Sequence, residues 1–279
     1  RQMIEWPHGD GLEVMLGGGR QHFIPATMAD PEYADRKGKR ADGKDLAAGW
    51  AAANPKGAYV WNRESFASVD PKKTTKLLGL FEPSHMQFEA DRTAAGNKEP
   101  SLAEMTTKAI AMLSKNPKGY VLMVEAGRID HAHHGGNARR ALQDTIALNA
   151  ALKAAMDAVD LRDTLIVVTS DHSHVFTMAG YPERGNPILG VVSAPIGTPT
   201  LAMDGKGYTT LGYANGPGAV NAAERPDPAN SDTGALNYRQ QSLIPLMSET
   251  HGGDDVVARA AGPKAHLFKG TIEQNTIFH

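Results

Sequence analysis

The sequence contains no cysteine, no strong excess of either charge and no long run of apolar residues. Without cysteine there are no disulfide bonds or thiolate metal ligands, so any metal must be held by His, Asp and Glu side chains. The net charge of −2 and the lack of a basic cluster give no reason to expect nucleic acid or an anionic membrane surface as a partner. No apolar run approaches the roughly 18 residues of a membrane helix, and no leader sequence is evident.

The 279 residues, 41% of them hydrophobic, are enough for one large domain or for a domain with a substantial insertion. Their metal-binding side chains are concentrated in three polar clusters. The first, Val124–His134, holds two carboxylates and three imidazoles; the second is Ser170–His174 and the third is Glu249–Asp255. Three clusters of oxygen and imidazole donors favour a composite metal site.

The first two clusters each follow an apolar run that predicts a strand, Tyr120–Val124 and Leu165–Val168. A long helix, roughly Ala138–Val159, is expected between them, with its buried side marked by Leu142, Ile146, Leu152, Met156 and Val159. Strand, helix and strand in this order predict a βαβ crossover, a parallel sheet and an α/β fold. Ligands bind beyond the carboxyl ends of such strands, where both clusters lie.

Other patterns place the remaining elements. Ser101 and Glu104 have the spacing of a capping box and predict the start of a helix. The polar, turn-rich stretch Ala26–Asn54 is expected on the surface. Strands are expected at Glu13–Leu16, Ala58–Arg63, Leu77–Phe81, Asp255–Arg259 and Ala265–Phe268. Residues 180–248 are rich in Gly, Pro and Asn, which predicts an inserted subdomain between a core at 1–179 and its return at 249–279.

Asp130 and His134 are four residues apart, a spacing that puts both side chains on one face of a helical turn. Both could then chelate one ion, with His251 as a third ligand. Taken alone, an Asp and a His at this spacing are common on surface helices, and a lone His251 would more often be a surface histidine. Their combination near strand ends favours a zinc site with an open position.

Asp171 and His172 are neighbours, whose side chains diverge on a regular strand but can reach a common metal where the strand ends. Glu125 follows an apolar strand, and an isolated charge there needs a cation or a strong donor nearby. Arg128 could be that partner, which is the plainer interpretation. Histidines in the second cluster could equally be hydrogen-bonded loop residues.

Longer motifs carry a family resemblance. They are MLGGGR, DPEY, DGKDL, YVWNR, LGLFEP, VEAGRIDHAHH, SDHSHVFTMAGYPERGNPILG, YANGPG, YRQQSLIPL, ETHGGDDV and GPKAHLFKG, in this order. Together they resemble the alkaline phosphatases, more the animal-type branch than the enteric bacterial one, over essentially the whole chain. The resemblance implies a parallel-sheet fold with helices on both faces. It also implies hydrolysis of phosphate monoesters with two zinc ions, one magnesium ion and a phosphoseryl intermediate.

The resemblance also implies roles for single residues. Asp130, His134 and His251 match the ligands of the first zinc, Asp171 and His172 those of the second, and Glu125 the magnesium carboxylate. His131 matches the residue beside the phosphate. Animal-type members also bind calcium, and the matching residues here are Glu32, the carbonyl of Phe81, Glu82 and, with different local spacing and Glu in place of Asp, Glu99.

Residues 180–248 resemble the crown domain, which implies a homodimer through this region, with Tyr181 extended toward the partner's active site. Family members are exported, so a periplasmic, secreted or cell-surface location is expected. No segment matches the nucleophilic serine and its Asp-Ser-Ala motif, the bridging aspartate, the third magnesium ligand or the phosphate-binding arginine. We therefore expect the carboxyl-terminal portion of such an enzyme, cut at both ends and inactive alone. The alternatives are a related phosphodiesterase of the same superfamily and a non-catalytic metal-binding or dimerisation fragment.

Overall fold

The structure is a computed structural model that describes residues 2–220 and 225–279. The chain forms two compact units: the first comprises Arg1–Ala126 with Ile146–Ala158, and the second comprises Gly127–Thr145 with Val159–His279. No helix in the described part of the chain has the length and apolar character needed to cross a membrane. The predicted division into a core at 1–179, an inserted subdomain at 180–248 and a return to the core at 249–279 is not tested by these two units and stays a prediction.

Six α-helices and ten strands are formed by the described residues. The helices are α1 Leu46–Ala53, α2 Arg63–Ser68, α3 Glu89–Ala94, α4 Leu102–Leu113, α5 Arg128–His134 and α6 Ala138–Ala158. The strands are β1 Val14–Gly17, β2 Ala58–Val60, β3 Leu77–Leu80, β4 Ile166–Val168, β5 Ser173–His174, β6 Phe176–Met178, β7 Leu211–Gly216, β8 Ser242–Pro245, β9 His251–Gly252 and β10 Arg259–Ala261.

The first unit contains a parallel sheet in the order β1-β3-β2, with Val14 and Ala58 both paired to Leu77. The central strand β3 is buried along its whole length, which explains its continuous apolar sequence. The sheet and its helices confirm the α/β class, and the strands predicted near Glu13–Leu16, Ala58–Arg63 and Leu77–Phe81 are present.

Helix α4 begins where the sequence predicts. Ser101 Oγ accepts the backbone N–H of Glu104, and the carboxylate of Glu104 accepts the N–H of Ser101. This reciprocal pair satisfies two N–H groups that a helix start otherwise leaves unbonded. The prediction that Ala26–Asn54 lies on the surface was wrong in part, because α1 buries Leu46 and Trp50 in the core.

The second unit is built from small sheets. β6, β7 and β8 form a three-stranded sheet, β5 pairs with β9, and β4 pairs antiparallel with β10. The crossover expected from the sequence is therefore not formed by these segments. Val121 and Met123 are 95% and 79% exposed, and no strand is assigned at Tyr120–Val124. That strand prediction was wrong, since an apolar run becomes a strand only when a neighbouring strand takes its backbone hydrogen bonds.

Helix α6 has the predicted bounds to within one residue but buries a different face. Ile146 is 67% exposed and Met156 is 43% exposed, whereas Ala138, Ala141 and Ala151 are buried. The prediction followed the large apolar side chains, whereas the buried positions include small alanines, which give a weak hydrophobic signal. The strand expected at Asp255–Arg259 forms only from Arg259 onward. The strand expected at Ala265–Phe268 is instead a 3₁₀ helix, Ala265–Leu267.

Candidate metal centres

Helix α5 brings together the first two predicted ligands. Asp130 and His134 lie one helical turn apart, and His134 Nε2 is 3.3 Å from Asp130 Oδ1. The helix ends at His134, and the backbone N–H of the next residue, Gly135, bonds to the carbonyl of His131. The predicted placement of both side chains on one face is confirmed.

Strands β5 and β9 bring two further imidazoles to the same oxygen. In this antiparallel pair His174 lies opposite His251, and directly opposite residues present their side chains on one face. Their Nε2 atoms lie 3.1 Å and 3.3 Å from Asp130 Oδ1. His172 precedes His174 by two residues and stacks on the ring of His251 with centroids 3.5 Å apart. Its Nε2 lies 4.0 Å from Asp130 Oδ1.

The shorter of these separations are close to those between the ligands of one zinc ion. Zinc binds imidazole nitrogen and carboxylate oxygen at about 2.0–2.2 Å, so tetrahedral geometry puts neighbouring ligand atoms roughly 3.3–3.6 Å apart. His134, His174 and His251 all lie at 3.1–3.3 Å from Asp130 Oδ1, and the Nε2 atoms of His134 and His251 are 3.1 Å apart. The spacing of this group suits a single small cation.

The hydrogen bonding of the group also fits a cation. Asp130 Oδ1 and His174 Nε2 are buried and have no hydrogen-bond partner, although they lie 3.1 Å apart. The Nδ1 atoms of three histidines contact oxygen acceptors. Nδ1 of His134 contacts the carbonyl of Glu249, and Nδ1 of His172 contacts the carbonyl of Ser173. Nδ1 of His174 contacts the carboxylate of Glu249. Imidazoles bonded in this way through Nδ1 present Nε2 to a metal.

His174 and Glu249 were not assigned a role from the sequence, although both lie in the polar clusters. Glu249 is 1% exposed and forms a second group of possible ligand atoms with His134 and His174. A usable signal was the spacing of two between His172 and His174, which places both on one face of a strand. Glu249 offered no such signal, because its partners His134 and His174 are far from it in the sequence.

His131 and His133 lie beside the group without joining it. His131 Nδ1 contacts Arg128 Nη1 at 3.0 Å. His133 bonds to the hydroxyl of Tyr213 at 2.9 Å and stacks on His174. Burial, and next the neighbouring His174, lower the pKa of His133 to about 4, so this ring stays neutral and packs behind the ligands.

Two predicted ligands are not members of this group. Asp171 has a side chain that is 82% exposed, and its Oδ2 lies 3.3 Å from Nε2 of the neighbouring His172. Glu125 belongs to the first unit, where it is exposed, and joins none of the groups of ligand atoms found among the described residues. Magnesium prefers six oxygen ligands in octahedral geometry, which Glu125 alone does not supply.

The first unit holds an acidic cluster at the end of β3. Arg20 is completely buried there and pairs with both carboxylate oxygens of Asp30 and with Glu32. Its Nη1 also donates to the carbonyl of Leu80. Burial opposes the charge of Asp30, but the hydrogen bonds from Arg20 hold the pKa of this carboxyl below its usual value.

Glu82 and Glu99 complete this cluster. Glu82 accepts from the hydroxyl of Tyr33, and Glu99 accepts the backbone N–H of Gln87 with one oxygen while the other has no partner. Burial raises the pKa of Glu99 to about 7, with smaller contributions from the charges of Glu82 and Glu32. Among the described residues, no three of these carboxylates bring oxygen atoms within 4.8 Å of one another.

Comparison with known proteins places these groups in a family context. A family model described as alkaline phosphatase matches residues 2–279. The tissue-nonspecific isozymes of alkaline phosphatase from Gallus gallus and Homo sapiens are 46% and 44% identical over 275 residues. These matches cover 96% of this chain and 52% and 51% of the relatives, so the chain spans about half their length.

Solved structures agree. The Thermus thermophilus alkaline phosphatase matches with a TM-score of 0.55 and 38% identity over 65% of this chain and 34% of its own. A cold-active alkaline phosphatase from Shewanella sp. matches with a TM-score of 0.60 and covers 95% of this chain and 63% of its own. At 24% identity this second likeness supports the fold alone.

Proposed function

Because this chain belongs to the alkaline phosphatase family, we propose that it supplies the metal-binding part of an enzyme that hydrolyses phosphate monoesters. The observation that carries the proposal is the gathering of imidazole Nε2 atoms around Asp130 Oδ1 at zinc-ligand spacing. Zinc bound there would act as a Lewis acid that stabilises negative charge on phosphate oxygens.

The proposed assignment follows the family resemblance. Asp130, His134 and His251 would hold the first zinc, with Asp171 and His172 contributing to the second and Glu125 to magnesium. The neutral ring of His133 packs against His174 and Phe176 and so supports the ligands from behind. The sequence has no Asp-Ser-Ala segment. The phosphoseryl intermediate is therefore proposed only for a protein that also contains the nucleophilic serine.

The function is tested with the protein expressed from its whole open reading frame, by p-nitrophenyl phosphate hydrolysis at alkaline pH. We expect turnover with zinc and magnesium, and we expect His251→Ala to lower it by orders of magnitude, because a catalytic zinc site tolerates the loss of a protein ligand poorly. His266→Ala is the matched control, since His266 is exposed and lies in the same unit. Unchanged turnover and unchanged zinc content in His251→Ala would remove His251 from the site.

We also propose that calcium binds the acidic cluster of the first unit, through Glu32, the carbonyl of Phe81, Glu82 and Glu99. The buried guanidinium of Arg20 pairs with Asp30 and Glu32, and the carboxylates of Glu82 and Glu99 add two further acidic groups to the same cluster. Calcium accepts six to eight oxygen ligands in flexible geometry and so suits carboxylates whose oxygen atoms are more widely spaced than zinc ligands. Glu32 also lines an open cleft of about 600 Å³, through which an ion can reach it.

Calcium is expected to raise the melting temperature of the zinc- and magnesium-loaded chain by several degrees at pH 8, and by less at pH 6. An ion at 100 times its Kd stabilises by about 2.7 kcal/mol. The pKa of Glu99 is raised to about 7, so at pH 6 calcium must displace a proton from it. Without calcium, the stability of the folded chain changes with pH in the opposite direction. The folded chain holds this proton more tightly than the unfolded chain, so its stability falls as pH rises from about 4.5 to about 7.

Two variants isolate this effect. Glu99→Gln should abolish the response to calcium, whereas Glu64→Gln should keep it, because Glu64 is exposed and lines the same cleft without belonging to the cluster. Scanning calorimetry with and without calcium provides the measurement. An equal calcium response at both pH values, or in Glu99→Gln, would contradict the proposal.

A homodimer through residues 180–248 and an exported location are further proposals from family membership. Large side chains are exposed in or beside this region, including Met178 at 73%, Tyr181 at 99% and Leu243 at 81%. Such side chains are enriched at subunit interfaces, which supports the dimer.

A further inference from the structure

His251 is carried to the metal group by a short strand with little support of its own. β9 consists of His251 and Gly252, and its pairing with β5 joins two residues of each strand. Just before it, the backbone N–H of Val175 reaches the carbonyl of Thr250 at 3.4 Å, which is long for a hydrogen bond. The side chain of His251 is 49% exposed. So short a pairing does not by itself fix the position of this imidazole.

Asn215 supplies a second attachment, to the residue that precedes His251. Its Oδ1 accepts the backbone N–H of Thr250 at 3.0 Å, and its Nδ2 donates to Thr250 Oγ1 at 2.9 Å. A backbone N–H only donates, so the amide atom that faces it must be the oxygen, which leaves the NH₂ group for the hydroxyl. Two hydrogen bonds to one residue restrain both its distance and its orientation.

The strand that carries Asn215 is paired on both sides. β7 lies between β6 and β8, and Asn215 is opposite Ile244 of β8. The β7 residues Leu211 and Tyr213 are buried. The backbone of β7 is therefore held by its own sheet, and β9 is the side of the contact that gains a fixed position.

Gly216 allows the end of β7 to approach the segment before β9. Its φ of 138° lies in the range that favours glycine. A Cβ at this position would lie 3.2 Å from the Cβ of Glu249, closer than an ordinary van der Waals contact. A larger side chain would push the two segments apart, and Asn215 would then lose its reach to Thr250.

We propose that Asn215 is a positioning residue that places His251 in the zinc site by holding the backbone of Thr250. It acts through its neighbour on β9 and not as a ligand. The inference rests on the proposed zinc site and gives a role to the motif YANGPG, which the proposed function leaves unused.

Asn215→Leu removes both hydrogen bonds at similar side-chain size. Loss of a partner that orients a metal ligand typically weakens binding about 10–100-fold. We expect a loss of zinc affinity of about tenfold, the lower end of this range, because Asn215 holds the backbone beside the ligand rather than the imidazole itself. Zinc affinity of the 279-residue chain is measured by competition with a chromophoric chelator. Unchanged affinity in Asn215→Leu overturns the inference.

Two further variants provide the rescue and the control. Asn215→Asp keeps one oxygen for the N–H of Thr250 and another for its hydroxyl, which can turn to donate, so this variant should bind zinc as tightly as the wild type. Asn186→Leu is the matched control, because Asn186 also donates to a threonine hydroxyl, that of Thr210, in the same unit. A tenfold loss in Asn215→Asp or in Asn186→Leu would contradict the proposed role.

A double-mutant cycle separates positioning from a general loss of structure. If Asn215 acts through His251, then Asn215→Leu should have little further effect on zinc affinity once His251→Ala has removed the ligand. A merely structural role would weaken zinc binding equally in both backgrounds. An equal loss with and without His251 therefore overturns the inference.

Hydrogen exchange of the Thr250 amide tests the contact without any metal. In the zinc-free wild type we expect this amide to be protected, and in Asn215→Leu to exchange about 2–10-fold faster, as the loss of one hydrogen bond predicts. An unprotected Thr250 amide in the wild type overturns the inference, and this result does not require the variant to fold.

These measurements distinguish the inference from the proposed function. A wild-type chain that binds no zinc would refute the proposed zinc site, and with it this role of Asn215. Zinc binding that does not depend on Asn215 would refute the inference alone and leave the site standing.

Discussion

Asp130→Asn is expected to lower the zinc affinity of this chain by more than about 100-fold, beyond the 10–100-fold typical of outer partners. Asp130 Oδ1 is the atom around which His134, His174 and His251 gather at 3.1–3.3 Å. Asparagine keeps the shape of the side chain but removes its negative charge. A neutral amide oxygen is a much poorer ligand for zinc than a carboxylate oxygen.

The measurement is zinc titration against a chelator of known affinity, with Asp157→Asn as the matched control. Asp157 is exposed and lies one helical turn after Lys153, with which it forms an ion pair. We expect one tightly bound zinc per chain in the wild type and in the control. Affinity retained within about threefold in Asp130→Asn would mean that zinc binds elsewhere and that the gathered imidazoles are not its ligands.

The parts of the fold that the sequence predicts well are those determined by local interactions. The capping box at Ser101 and Glu104 specifies the start of α4, because both hydrogen bonds join residues three apart. The spacing of Asp130 and His134 fixes their common face in the same way. A buried central strand such as β3 is recognisable because its apolar run is short and bounded by polar residues.

Two of the errors concern long-range strand pairing. An apolar run does not reveal its partner, and so β4 pairs antiparallel with β10 rather than completing the expected crossover. Tyr120–Val124 has the composition of a strand but pairs with no other strand among the described residues. The buried face of α6 was misjudged because alanine gives a weak hydrophobic signal.

The same limit applies to the metal centre. The clusters and most of their proposed ligands are visible as sequence, but the place of His174 in the group depends on the register of β5 against β9. Glu249 is two residues before His251, yet its importance comes from bonds to His134 and His174, 115 and 75 positions away in sequence. Sequence shows which donors are present; the pairing of strands decides which of them meet.

The chain of 279 residues is expected to bind zinc without hydrolysing phosphate esters. The reaction requires a nucleophile, and the sequence contains no Asp-Ser-Ala segment. The serines beside the metal group are engaged otherwise. Ser173 Oγ accepts the N–H of Asp254, and Ser248 Oγ donates to the carbonyl of Glu249. Because the side chain of Asp171 is 82% exposed, we expect the proposed second zinc to be weakly held.

The assay uses p-nitrophenyl phosphate at alkaline pH, with saturating zinc and magnesium and with zinc occupancy measured in the same sample. We expect no turnover above that of the metal-containing buffer, because bound zinc can polarise a phosphate ester but cannot replace the missing nucleophile. Turnover in the ordinary range of about 1–1000 per second would contradict this and would require a nucleophile within the chain. Ser173→Ala and Ser248→Ala would then test for that nucleophile. The hydroxyl of Ser173 bonds to Asp254, and the hydroxyl of Ser248 bonds to Glu249 and contacts His134.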